Sequence, residues 1–126
     1  MEKTVISAPN APAALGPYSH ANAANGFVFS SGQIGIDPAT GKLPEGIEAQ
    51  AEQALVNLEN VLRAAGSDMA HVLKTTVVVT DMGQFATVNK IYAAHFDGNF
   101  PARSCVQVGA LPGGALVEVE AIALLR

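Results

Sequence analysis

The chain has 126 residues, 49% of them hydrophobic and only 14% charged, with seven basic against eleven acidic side chains and a formal net charge of −4. One domain spanning residues 1–126 is expected at this length, and the charge that a nucleic-acid backbone would demand is not concentrated anywhere. The single cysteine excludes an intrachain disulfide and suits a reducing compartment, while so few charges coat a monomer thinly and point to subunit contacts.

The opening MEKTVISAPN lacks the apolar core of a secretory leader, and no apolar run approaches the ~20 residues of a membrane span. A cytoplasmic protein without a membrane partner is the expectation. EKTVIS reads as a short first strand, and APNAPAALGPY, punctuated by Pro9, Pro12, Gly16 and Pro17, reads as a loop with a fixed path. The strand-like runs SHANAAN and FVFSSGQI follow, separated by Asn25-Gly26, a strong signal for a tight hairpin.

After the turn-rich DPATGKLPEG the periodicity changes. Ile47, Ala51, Ala54, Leu55, Leu58, Val61, Leu62 and Ala65 recur every three or four residues, predicting an amphipathic helix that Gly66 ends. VLKTTVVVT is β-branched enough for a central strand. Asp81 with Gln84 has the form of an N-cap and its capping-box partner, opening a second helix whose buried stripe is Phe85, Val88, Tyr92 and Phe96. ARSCVQV and LVEVEAIALL are the last two strands.

The order β-β-β-α-β-α-β-β describes an α+β fold with a six-stranded mixed sheet. Right-handed crossovers would place both helices on one face and leave the other open. Alternation then assigns Val117, Val119, Ala121 and Ala123 to the helix side of the last strand, and Ala102, Ser104, Val106 and Val108 to the helix side of the strand before it. Arg103, Cys105, Gln107, Glu118 and Glu120 are thereby expected together on the open face. Further copies of the chain would cover that face and create clefts suited to a small molecule.

FPARSCVQVGALP, VEVEAIA, LGPYSHA, SSGQIGIDPATG and AAGSDMAHVLKTTVVVTDMGQFATVN occur here in an order that resembles the RidA/YjgF family of reactive-intermediate deaminases over nearly the whole chain. The resemblance implies a chorismate-mutase-like fold, a homotrimer with active sites between subunits, and neither metal nor cofactor. It implies hydrolysis of 2-imino acids, in exchange with enamines such as 2-aminoacrylate and 2-aminocrotonate, to 2-keto acids and ammonia. Pyridoxal-phosphate dehydratases would supply those substrates.

Residue by residue, the resemblance assigns the carboxylate-binding arginine to Arg103 and the glutamate beside the hydrolytic water to Glu118. It adds Tyr18, lent by a neighbouring subunit, together with Ser31, Gly32, Asn89 and Cys105, as substrate-binding positions. The connection HFDGNFPARS is a couple of residues shorter than in well-known members, and Val119 stands where Ile or Met is commoner; both bear on pocket shape.

The chemistry suits these residue types. An arginine fork grips a carboxylate through two parallel charge-assisted hydrogen bonds. A partly desolvated glutamate beside another acid has a raised pKa and can exchange protons near neutrality. Competing readings are an ion pair of Arg103 with Glu118 or Glu120 and a non-catalytic trimer that binds small carboxylates; Cys105 has no histidine in a dyad pattern and reads as a small apolar filler rather than a nucleophile. His20, His71 and His95 are isolated in sequence and form no metal-ligand pattern.

Overall fold

Asn25 and Gly26 adopt φ values of 52° and 83°, the paired positive angles that let a two-residue turn follow the twist of its flanking strands. They join β2 (Ala21–Ala24) to β3 (Phe27–Ser30) with Ala24 opposite Phe27. The computed structural model describes residues 2–126. Its remaining strands are β1 (Thr4–Ile6), β4 (Gln33–Ile34), β5 (Val72–Val79), β6 (Ala102–Gln107) and β7 (Val117–Leu124). They form one mixed sheet in the order β1-β2-β3-β7-β5-β6, with β4 also paired to β7 and only β5 and β6 parallel.

The third strand of the sequence reading is two strands, which raises the count from six to seven. Between the pairs Phe29↔Ile122 and Gln33↔Val119, one side places Ser30, Ser31 and Gly32 where β7 has only Glu120 and Ala121. That extra residue is a bulge, which interrupts the ladder and bends the strand. The Ser30 hydroxyl accepts from Ala121 N–H at 2.9 Å and so occupies a backbone donor left free at the break.

Helix α1 (Ile47–Ala64) buries Ala51, Ala54, Leu55, Leu58, Val61 and Leu62, and Gly66 (φ 88°) turns the chain away from its end. Asp81 does not open the second helix directly. Its carboxylate accepts from Gly83 N–H at 2.8 Å and caps a single 3-10 turn, Met82–Gln84, from which α2 (Phe85–Ala93) continues. The backbone N–H groups of Ala94, His95 and Phe96 then bond three residues back, so the regular helix stops short of Phe96.

Both helices share a core with Val28, Val77, Val79, Val117, Val119, Ala121 and Ala123. Buried polar side chains fix the connections. Asn57 donates to the carbonyls of Ile34 and Ile36 at 3.0 and 2.8 Å, tying the exit of β4 to α1. His20 accepts from Ala8 N–H at 2.8 Å and its other ring nitrogen lies 2.8 Å from the Pro12 carbonyl, which clamps the proline-punctuated loop.

Alternation assigned β7 correctly, with Val117, Val119, Ala121 and Ala123 buried. It assigned β6 to the wrong phase. Arg103, Cys105 and Gln107 pair with Thr75, Val77 and Val79 on the helix side, whereas Ala102, Ser104 and Val106 lie on the open face. The reason is physical: β6 is an edge strand under α2, where the helix covers long polar side chains, while Val106 is left 45% exposed. Polarity along an edge strand does not report which side a helix lies on.

The open face carries Phe27, Phe29, Val106 and Leu124, all exposed. A shallow depression of about 160 Å³ opens there, lined by Phe29, Lys74, Thr76, Glu120 and Ile122.

Candidate functional site

The seven candidate residues fall into two groups on opposite faces of the sheet. Asn89, Arg103 and Cys105 form the first. α2 presents Asn89 to the edge strand, and the Arg103 Nη1 donates to Asn89 Oδ1 at 2.7 Å. The guanidinium carbon lies 4.9 Å from the centroid of the Tyr92 ring and 5.4 Å from that of Phe85. No carboxylate among the described residues comes within ion-pair distance of Arg103. The alternative in which Glu118 or Glu120 neutralises it inside one chain is therefore overturned, because those acids face the other way.

Cys105 packs against the core two residues further along β6. Burial pushes its thiol pKa up, against the opposite pull of Arg103, which leaves it protonated and a poor nucleophile at neutral pH.

The second group is Tyr18, Ser31, Gly32 and Glu118. Tyr18 sits in the braced loop with its hydroxyl accepting from Leu15 N–H at 3.0 Å, and the residue is 44% exposed. Tyr18 and Gly32 line one small depression with Pro12, Leu15 and Ile34. The Ser31 hydroxyl donates to the Ser19 carbonyl at 2.6 Å, and its N–H bonds the His20 carbonyl, which draws the bulge to the loop. A Cβ on Gly32 would overlap the Glu118 carboxyl, so only glycine lets that side chain lie across the bulge. Burial raises the Glu118 pKa above the ordinary carboxylate range, and the neighbouring Glu120 charge raises it further.

Register separates the groups. Arg103 is level with Thr75 and Ala121, while Glu118 is level with Val78. Two strand spacings and three residues put their backbones roughly 10 Å apart across the sheet and roughly 10 Å along it, with side chains on opposite faces. One small molecule cannot bridge both within a single chain.

Sequence reasoning missed the surroundings of Arg103. Phe85, Asn89 and Tyr92 follow an i, i+4, i+7 spacing, a single stripe on α2, and all three touch the guanidinium. That spacing was the available signal, but Phe85 and Tyr92 read as core filling.

Known proteins match the chain over nearly its whole length. The mouse 2-iminobutanoate/2-iminopropanoate deaminase is 51% identical over 123 residues, covering 97% of this chain and 91% of the mouse protein. A Yersinia pestis protein of the conserved Rid protein family superposes with a TM-score of 0.95 at 50% identity, covering 98% of this chain and 100% of that one. Escherichia coli TdcF, crystallised with bound serine, superposes with a TM-score of 0.94 at 40% identity, covering 98% and 99%. The model of the endoribonuclease L-PSP family matches residues 8–125, and the chain belongs to that family, among its RidA/YjgF members.

Proposed function

We propose that the protein is a hydrolytic deaminase of reactive 2-imino acids, producing 2-keto acids and ammonia. The observation that carries the reading is the Arg103 guanidinium, oriented by Asn89 and two rings yet without an anionic partner among the described residues. Its likeness to named 2-iminobutanoate/2-iminopropanoate deaminases supplies the substrate class.

In this reading Arg103 takes the substrate carboxylate, and Asn89 fixes one of its nitrogens so that the rest of the fork points outward. A protonated C=N carbon is already electrophilic, so hydrolysis requires mainly a positioned water. Glu118 holds that water and accepts its proton as the oxygen bonds to the imine carbon. The proton passes to nitrogen, Glu118 takes the hydroxyl proton as the C–N bond breaks, and ammonia leaves as the carbonyl forms. A raised Glu118 pKa suits both halves of that exchange. Tyr18 walls the cleft, while Ser31 and Gly32 let the substrate approach the backbone.

Because the two groups face apart within one chain, the complete site is formed between copies: Asn89, Arg103 and Cys105 from one, Tyr18, Ser31, Gly32 and Glu118 from its neighbour. The exposed Phe27, Phe29, Val106 and Leu124 supply an apolar surface for that association. A homotrimer is the assembly, in the cytoplasm, drawing its substrate from pyridoxal-phosphate dehydratases.

The direct test couples the protein to a threonine dehydratase and times keto-acid and ammonia release. Release faster than in a protein-free control is expected; an unchanged rate would defeat the reading. Gly32→Ala should cost on the order of 10–100-fold in kcat/KM, because the new methyl displaces the Glu118 carboxyl. Steady-state kinetics alongside a melting curve would check it.

A further inference from the structure

We propose that Tyr92 and Phe85 are positioning residues for Arg103, an inference that rests on the carboxylate-anchor reading and specifies how the anchor is aimed. An arginine on an edge strand has several free torsions, and an unrestrained guanidinium would lose much of its value as an anchor when those torsions froze on binding. Here its rings and Asn89 restrict it before any ligand arrives. Nη1 is committed to Asn89, and the guanidinium carbon lies over both the Tyr92 and the Phe85 rings. The nitrogens not used by Asn89 are left to present one edge to a carboxylate.

The ring nearest the guanidinium is itself locked. The Tyr92 hydroxyl bonds Thr75 Oγ1 at 2.6 Å, and Thr75 is 0% exposed. Thr75 is also the residue directly beside Arg103 in the β5–β6 register. The three side chains thus close a triangle: Thr75 flanks Arg103 in the sheet, bonds the helix residue above, and that residue's ring meets the guanidinium. Phe96 backs the Tyr92 ring at 4.9 Å between centroids, and Phe100 backs Phe96 at 6.2 Å. The bond to Thr75 satisfies the buried hydroxyl and at the same time fixes the ring against the strand beside the anchor.

The experiment measures affinity for 2-oxobutanoate by calorimetry, and steady-state kcat and KM, in Arg103→Ala, Tyr92→Phe, Tyr92→Leu and Phe85→Leu. Losing an oriented cation–π contact should weaken 2-oxobutanoate binding and raise KM by about ten-fold in Tyr92→Leu, with kcat changed much less. Tyr92→Phe keeps the ring and should recover most of that loss. Phe85→Leu, at a position already 36% exposed, should fold normally and weaken binding several-fold. The Arg103 Nε–H resonance should move away from its ring-current-shifted position in both leucine variants.

Folded Tyr92→Leu and Phe85→Leu proteins with wild-type affinity and KM would overturn the inference. If Tyr92→Leu does not fold, Phe85→Leu decides it: wild-type affinity and KM there, with an unmoved Arg103 resonance, overturns it as well. Arg103→Ala separates the two levels. Abolished binding there, beside unaffected ring variants, defeats only the positioning role, whereas retained binding defeats the anchor reading itself.

Discussion

Arg103→Ala should fold, assemble and lose kcat/KM by on the order of 100- to 10,000-fold. Two charge-assisted hydrogen bonds to a carboxylate contribute ~1.5–3 kcal/mol each, and each ~1.4 kcal/mol is a factor of ten. The fold should tolerate the change, since truncation leaves no carboxylate stranded and frees only Asn89 Oδ1 from its bond to Nη1. Arg103→Lys should fall between, by roughly 10- to 100-fold, because an ammonium keeps the charge and loses the planar fork. Keto-acid release from fresh imine, 2-oxobutanoate affinity and circular dichroism measure the three aspects separately. Wild-type turnover in a folded Arg103→Ala protein would remove the basis of the proposed function.

Where the sequence was informative, one periodicity had one cause. The α1 stripe from Ile47 to Leu62 faces a single core, and Asn25-Gly26 has little choice but the tight turn, so both were legible. The alternation of β7 was equally clear, because valine and alanine are buried on one side and glutamates lie on the other. On β6 the same rule failed. Small and apolar Ala102, Ser104 and Val106 look like the core side, yet α2 lies over Arg103 and its neighbours. Which face of an edge strand is covered depends on where a distant helix lands, and that is not written in the strand.

The candidate site was legible as a set of residue types and illegible as a geometry. Arg103, Glu118 and the glycine at the bulge were all singled out from the chain, but the phase error on β6 put Arg103 and Glu118 on one face. The structure separates them, so a site that used both would have to draw them from two chains. Gly32 illustrates the other limit. A serine-glycine pair inside a strand marks a bulge in general terms, whereas its particular duty, leaving room for the Glu118 carboxyl, depends on register with a strand some eighty-five residues later.

Glu118→Gln should lower kcat by on the order of 100- to 10,000-fold, the usual worth of a positioned general acid–base group. Its pH behaviour is directional. Burial and the charge on Glu120 disfavour ionised Glu118, so the wild-type acid limb should lie above the ordinary carboxylate pKa and vanish in the variant. The same raised pKa means that the folded chain holds this proton more tightly than the unfolded one. Wild-type stability is therefore lost as pH rises from the unfolded value through the folded one. Glu118→Gln, with no proton to lose, should be the more stable protein at neutral pH and equal to wild type in acid, which a melting series across pH would read. Mixing then tests the division of the site. Glu118→Gln and Arg103→Ala chains are each inactive alone, but a site built from Arg103 of one and Glu118 of the other is intact. Random assembly of equal amounts should restore about a quarter of wild-type activity, since each half is sound in about half of the chains. A co-refolded mixture as silent as its components would overturn the division of the site between two chains.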